Sequence, residues 1–147
     1  MNFTGKVVLV TGSTTGIGEA CARVFAESGA AVMVCGRNAT RGQDVVAAIR
    51  TAGGVAEFFA VDLRTPGACE QLIAATVERL GGLDVLVNNA GILYTANALD
   101  TTDEQWLDTM AVNVNALFYM SKGAVVQITR CMALDHARDH AYVALGP

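Results

Sequence analysis

The chain has 147 residues, of which 52% are hydrophobic and 16% charged, with a formal net charge of −4. That length fits one domain (1–147), able to bury about 68–70% of its unfolded-chain surface around a single core, and the composition excludes a disordered chain. Its few basic residues are scattered rather than clustered, which argues against nucleic acid as a partner, and no apolar run is long enough to span a membrane.

The opening MNFTGKVVLV lacks the charged start, long apolar run and small-residue cleavage site of a signal peptide. Cys21, Cys35, Cys69 and Cys131 show no CxxC spacing and sit in apolar or helical patterns, where a free thiol packs as a small hydrophobe. Reduced cysteines in a cytoplasmic protein are expected.

The elements alternate. Lys6–Val10 is a continuous apolar run, the mark of a strand buried on both faces, and it breaks at Thr11-Gly12. Ile17–Ser28 has helical spacing through Ile17, Ala20, Cys21, Val24 and Phe25, and Gly29 ends it. Ala31–Cys35 is a second strand. Ala39–Ala52 is a helix with Val45, Val46 and Ile49 inward, and Val55–Val61 a third strand. Thr65 as N-cap and Pro66 at the first helical position open a helix that runs to about Leu80, and Leu83–Val87 is a fourth strand. This βαβαβαβ order implies a parallel sheet covered by helices on both faces.

From Thr101 the pattern changes. Thr101 and Glu104 have capping-box spacing. Helical periodicity then continues through Trp106, Met110, Val114, Leu117, Met120, Val125, Ile128 and Met132 to about Ala137, with only Gly123 weakening it. Either two helices abut near Lys122-Gly123 or one long helix projects from the domain.

In Gly12-x-x-x-Gly16-x-Gly18 the glycines follow a strand and open a helix. Gly12 permits a tight turn, Gly16 a close backbone approach, and Gly18 close helix–strand packing. The helix N-terminus offers unpaired N–H groups and partial positive charge to a pyrophosphate. The stretch Thr11-Gly12-Ser13-Thr14-Thr15-Gly16-Ile17-Gly18 resembles the TGxxxGIG signature of the short-chain dehydrogenase/reductase family. Asn88-Asn89-Ala90-Gly91, Val112-Asn113-Val114 and Val61-Asp62-Leu63 resemble three further motifs of that family, in the same order.

The resemblance implies a Rossmann-type three-layer fold with strand order 3-2-1-4, and an oxidoreductase moving hydride between a nicotinamide cofactor and a small carbonyl or alcohol. It implies a cofactor site of Gly12, Ser13, Thr14, Gly16, Ile17, Gly18, Arg37, Asp62, Leu63, Asn89, Ala90 and Gly91. NAD-preferring relatives usually carry an acidic residue where this chain has Gly36. Here Gly36 is followed by Arg37, which suits a 2′-phosphate, so NADP(H) is expected, with NAD(H) not excluded.

In the family a tyrosine protonates the carbonyl, a lysine four residues later lowers the tyrosine's pKa, a strand serine steadies the oxygen and a helical asparagine anchors a water. Asn113 and Lys122 match two of these positions; Phe118 stands four before the lysine and Tyr119 three before. Two family helices look joined directly near residue 122 within the helical segment 101–139, and the strand carrying the serine and tyrosine is not between them. The later family strands are missing as well. Three readings stand: a makeshift Tyr119–Lys122 pair, a shortened and catalytically impaired dinucleotide-binding or oligomerisation protein, or a sequence from which residues of an ordinary reductase are missing.

An exposed apolar edge at Leu83–Val87 or the long helix predicts a homo-oligomer; the tail Tyr142–Leu145 is the other candidate to cover that edge. His136 and His140 lie at i and i+4, but no third metal ligand is evident nearby and a polar helix end explains them equally. Trp106 and Met110 are spaced as core positions, and Tyr94 suits either substrate contact or packing.

Overall fold

A computed structural model describes residues 2–136. The elements are β1 (Val7–Val10), α1 (Gly16–Glu27), β2 (Ala31–Gly36), α2 (Ala39–Thr51), β3 (Val55–Ala60), α3 (Pro66–Leu80), β4 (Val85–Val87), α4 (Asp103–Met110), a π-helical turn (Ala111–Asn115) and α5 (Ala116–His136). The strands pair in parallel in the order β3-β2-β1-β4, which is the order the resemblance implied. Each strand boundary lies within two residues of its sequence expectation.

The strands build two cores by alternation. Val8, Val10, Val32 and Val34 face α1 and α2, where Ala22, Ala26, Val45, Val46 and Ile49 meet them. Leu9, Met33 and Cys35 point the other way and pack with Leu72, Ile73, Leu83 and the α5 residues Ala116, Met120 and Ala124. Each large side chain so buried stabilises the fold by roughly 1.5–3 kcal/mol. The glycine turn and the ends of β2 and β4 are thereby anchored at the carboxyl edge of the sheet, the edge where open parallel sheets hold ligands.

Several helix faces differ from the periodicity. The buried face of α1 is Gly18, Ala22 and Ala26, whereas Ile17 is 77% exposed and Val24 60%. The tight glycine turn delivers α1 against the sheet on its small residues, so Ile17 stands over the cleft instead of in the core. Helix α4 buries nothing, and Trp106 is 59% exposed. Its capping box is Thr102 with Gln105, one residue on from the Thr101–Glu104 expectation. Thr65 stands at the N-cap of α3 as expected but makes no side-chain cap hydrogen bond.

From Asp103 to His136 the chain stays helical, with no break at Lys122-Gly123. The irregularity is the π turn, which adds a residue to the helical repeat and rotates every later position about the helix axis. The inward line of α5 is therefore Ala116, Met120 and Ala124, not Val114, Leu117 and Val125, which are about half exposed. Gly123 lies so close to α3 that a Cβ there would stand 2.5 Å from Ile73 Cδ1. The segment Tyr142–Leu145 and His140 lie outside the described residues. Among the described residues no helix is long and apolar enough to cross a membrane.

Candidate active site

The site is built around Thr11, the first residue after β1. Its buried hydroxyl donates to the Val87 carbonyl at 3.3 Å and accepts the amide N–H groups of Asn89 and Ala90, each at 3.0 Å. The carboxamide of Asn89 returns the connection, donating to the carbonyls of Thr11 at 3.0 Å and Gly12 at 3.2 Å. The glycine turn after β1 is thus stitched to the end of β4.

This closeness explains two of the glycines. Gly12 has φ +64, and a Cβ there would lie 2.9 Å from Ala90 Cα. At Gly18 a Cβ would meet the Gly12 carbonyl oxygen at 2.5 Å and the Asn89 carboxamide. Any side chain at either position forces the two strand ends apart. Gly16, at φ +59, faces open space where the helix begins.

Ser13 has a different task from the one expected. Its amide donates to the Cys35 carbonyl at 3.0 Å, while its hydroxyl donates to the Val10 carbonyl at 2.6 Å and accepts the Cys35 amide at 2.9 Å. Both polar groups are spent inside the fold, which leaves neither for a phosphate. The Cys35 thiol beside it is pushed up to about 12 by burial.

These turns enclose a cleft of about 400 Å³. Ten of the expected cofactor residues line it: Gly12, Thr14, Ile17, Gly18, Arg37, Asp62, Leu63, Asn89, Ala90 and Gly91. Ser13 and Gly16 do not, whereas Thr15, Gly36, Val61, Ile92 and Val112 do. The lining matches a dinucleotide in kind: backbone N–H groups of a glycine turn at one side, apolar walls at Val61 and Leu63, and a carboxylate and a guanidinium towards the β2 and β3 ends.

The family sequence profile of the short chain dehydrogenases matches residues 6–130. The chain belongs to this family. It is 45% identical over 130 residues to an uncharacterized oxidoreductase of Thermotoga maritima, covering 88% of this chain and 51% of that one. With a 3beta-hydroxysteroid dehydrogenase of Mediterraneibacter gnavus it shares 41% identity, covering 84% and 45%. Among solved structures it is similar to a short chain dehydrogenase from Burkholderia cenocepacia in complex with NADP, with a TM-score of 0.84, 37% identity, and coverage of 87% and 53%. The chain spans about half the length of the relatives it matches.

Beyond Asp62, the last charged residue of the cleft wall, lies an ionic chain outside the cleft that sequence reading missed. Asp62 accepts the Arg64 amide at 3.2 Å and pairs with the Arg64 guanidinium at 3.0 Å. The same guanidinium reaches Asp108 of α4 at 2.6 Å, and the Tyr94 hydroxyl donates to that carboxylate at 2.6 Å. Tyr94 thus ties the loop after β4 to α4. Its phenol is held above the ordinary range because it donates to a carboxylate. Asp108 is held below the ordinary carboxylate range by that hydrogen bond and by Arg64, with a further pull from Arg37.

Asn113 sits in the π turn and grips the loop. Its carboxamide accepts the Ile92 amide and donates to the Ile92 carbonyl, both at 2.8 Å. Val112 beside it lines the cleft, but Tyr119 and Lys122 do not. Tyr119 is half-buried, packs against the α3-side core and meets Phe118 edge-on at 5.5 Å. Lys122 is exposed, three residues on along α5. Neither makes a hydrogen bond to the other. Ser121 instead accepts from Asn88 at 3.1 Å, which docks α5 to the end of β4. Ten of the residues expected to hold a dinucleotide are brought together, and Tyr119 and Lys122 lie outside them.

Proposed function

We propose that the protein binds NADP(H) in this cleft, in the service of hydride transfer between a small carbonyl and an alcohol. The observation that carries the reading is the rim at the end of β2, where Gly36 and Arg37 line the cleft and no carboxylate stands at the strand end. A carboxylate there would repel a 2′-phosphate, whereas a guanidinium binds one. The N-terminal turn of α1 at Gly16–Gly18 would face the pyrophosphate, Asp62 and Leu63 the adenine, and Asn89–Gly91 the nicotinamide side. The nicotinamide, when bound, supplies or accepts the hydride.

Asn113 acts in this reading as the brace that holds Ile92 and the loop beside the nicotinamide wall. By family resemblance Lys122 is the lysine of the proton-handling pair, while Phe118 stands where its tyrosine would be and Tyr119, three before the lysine, is at most a makeshift partner. The position of Tyr119 and Lys122 off the cleft favours a second reading, a dinucleotide-binding protein without turnover. A reduced, cytoplasmic setting fits the free thiols of Cys21, Cys35 and Cys69. Self-association fits the half-exposed Trp106, Leu117, Phe118 and Val125 along the long helix and the single-neighbour edge of β4.

Titrating NADPH and NADH separately tests the cofactor, with NADPH expected to bind at least about tenfold more tightly, the worth of one good charge-assisted contact. Equal affinities would remove the NADP(H) reading. Following carbonyl reduction at saturating NADPH separates the two functional readings, since saturable binding with no turnover selects the second. Sedimentation showing a stable monomer would count against self-association.

A further inference from the structure

We propose that Arg41 is a second specificity-determining residue, forming with Arg37 a two-guanidinium clamp for the 2′-phosphate of the adenosine half. The inference rests on the NADP(H) reading and adds to it a residue that lies outside every family motif of the sequence.

Most arginines of the α/β half are already engaged. Arg23 pairs with Glu19 at 2.7 Å, Arg50 with Glu57 at 2.6 Å, and Arg64 lies between Asp62 and Asp108. Arg79 donates to the Phe58 carbonyl at 3.3 Å and lies over the Phe59 ring. Among the described residues of that half, the guanidinium groups of Arg37 and Arg41 have neither a hydrogen bond nor an ion pair; Arg37 feels Asp108 only through space.

These two line neighbouring clefts. Arg37 lines the dinucleotide cleft, and Arg41 lines a smaller cleft of about 270 Å³ beside it. Thr14 and Thr15 line both, so the two clefts meet at the outer side of the glycine turn. The Thr14 methyl group also stands where any side chain at Gly36 would go, at 2.7 Å from its Cβ position. The end of β2 is therefore kept bare beside Thr14. Arg41 belongs to the first turn of α2, and its amide is held by the Asn38 side chain at 3.0 Å, which fixes the root of the side chain. A 2′-phosphate at the β2 end would sit between two planar, permanently charged forks, where a 2′-hydroxyl would leave both without a partner.

Two carboxylates share the smaller cleft, Glu19 and Asp44. Glu19 is neutralised by Arg23. Asp44 has no ion pair among the described residues and lies one helical turn from Arg41, so it opposes an incoming phosphate. That gives the clamp a built-in counterweight and the test a second sign.

The experiment is calorimetric titration of the full chain with adenosine 2′,5′-bisphosphate and, separately, with 5′-AMP. The wild type is expected to prefer the bisphosphate by about tenfold or more, and Arg41→Gln to lose about three- to tenfold of that preference with 5′-AMP affinity unchanged. Asp44→Asn is expected to raise the preference about two- to threefold. A wild type without preference would remove the NADP(H) reading and the clamp with it. A wild type that prefers the bisphosphate, with Arg41→Gln preferring it equally, would overturn the clamp and leave the NADP(H) reading standing. Arg41 is exposed, so its variants are expected to fold, which circular dichroism checks. Arg41→Lys, which keeps the charge without the fork, should retain a preference between wild type and Arg41→Gln, and a preference equal to that of the wild type would overturn the bidentate geometry.

Discussion

The carboxyl edge of the sheet and the long helix α4–α5 follow opposite rules. At the sheet edge, backbone groups and short side chains are tied to one another: Thr11 to three backbone groups, Asn89 to two carbonyls, Ser13 to β1 and β2. Along the helix, Trp106, Phe118 and Lys122 are exposed, and Asp108, Asn113 and Ser121 reach back to the end of β4 and the loop after it. A binding cradle assembles from strand ends and turns that the core already holds in place. An acid–base constellation needs side chains from separate elements aimed at one point, and catalytic geometry tolerates little displacement. Here the strand ends and turns are held together in this way, whereas Tyr119 and Lys122 are not brought to the cleft.

The sharpest way to break the cradle is Thr11→Val. The shape is kept, but the part-buried Asn89 and Ala90 amides lose their shared acceptor, at up to about 1–3 kcal/mol for each donor left unpaired. NADPH binding should fall with the loss of stability, read as a drop in the urea midpoint. Gly18→Ala comes next. Its methyl would press on the Gly12 carbonyl, and overpacking of this kind costs about 1–3 kcal/mol. If Gly18→Ala melts like wild type and binds NADPH normally, the cradle is looser than its distances indicate.

The same contrast decides how much was legible. The four strands and the glycine turn follow from apolar runs and from glycines at strand ends, which are local signals, and α2 shows its inward face at the expected Val45, Val46 and Ile49. Thr11 was hidden because a threonine at a strand end reads as an ordinary β-branched residue. Ser13 sits inside the cofactor motif, yet nothing in the motif says that its hydroxyl turns back to Val10. The capping box slipped because Thr101-Thr102 and Glu104-Gln105 are tandem pairs that satisfy the pattern in two registers. The Arg64–Asp108 pair joins residues 44 positions apart, beyond any periodicity. The π turn shifts the helical phase, so a spacing read as one continuous face includes the inward Met120 and Ile128 but also Val114, Leu117 and Val125, which are about half exposed.

The bridge between the two regions runs through Asp108, and pH sharpens its role. The folded state holds this carboxyl below its ordinary value, so its contribution is present above the unfolded carboxyl pKa and is lost as pH falls through the lower folded value. Tyr94 is the opposite case: its raised phenol contributes below the unfolded value near 10 and loses that contribution as pH rises through the folded one. Because Tyr94 is exposed and Asp108 only partly buried, the effect on global stability is small. The clear readout is ultraviolet titration, in which Asp108→Asn should bring one phenol ionisation back down. An unchanged tyrosine titration curve in Asp108→Asn would show that α4 does not hold the loop after β4 through this contact.

The smallest expected effect tests the comparison from its other side. Tyr119→Phe removes one hydroxyl and keeps the ring that packs on the α3-side core and against Phe118. If the tyrosine is only a packing residue, the variant should bind NADPH within about twofold of wild type, since surface and rim changes stay within about 0.5 kcal/mol. Any carbonyl reduction by the chain should likewise keep its kcat and the shape of its pH profile. Lys122→Met should behave in the same way. A hundredfold loss of kcat in both variants, with NADPH affinity intact and one limb of the pH profile gone, is the signature of a proton-handling pair. That outcome would mean that α5 reaches the cleft during turnover, and the division between a finished cradle and an unassembled catalytic group would fail at its weaker half.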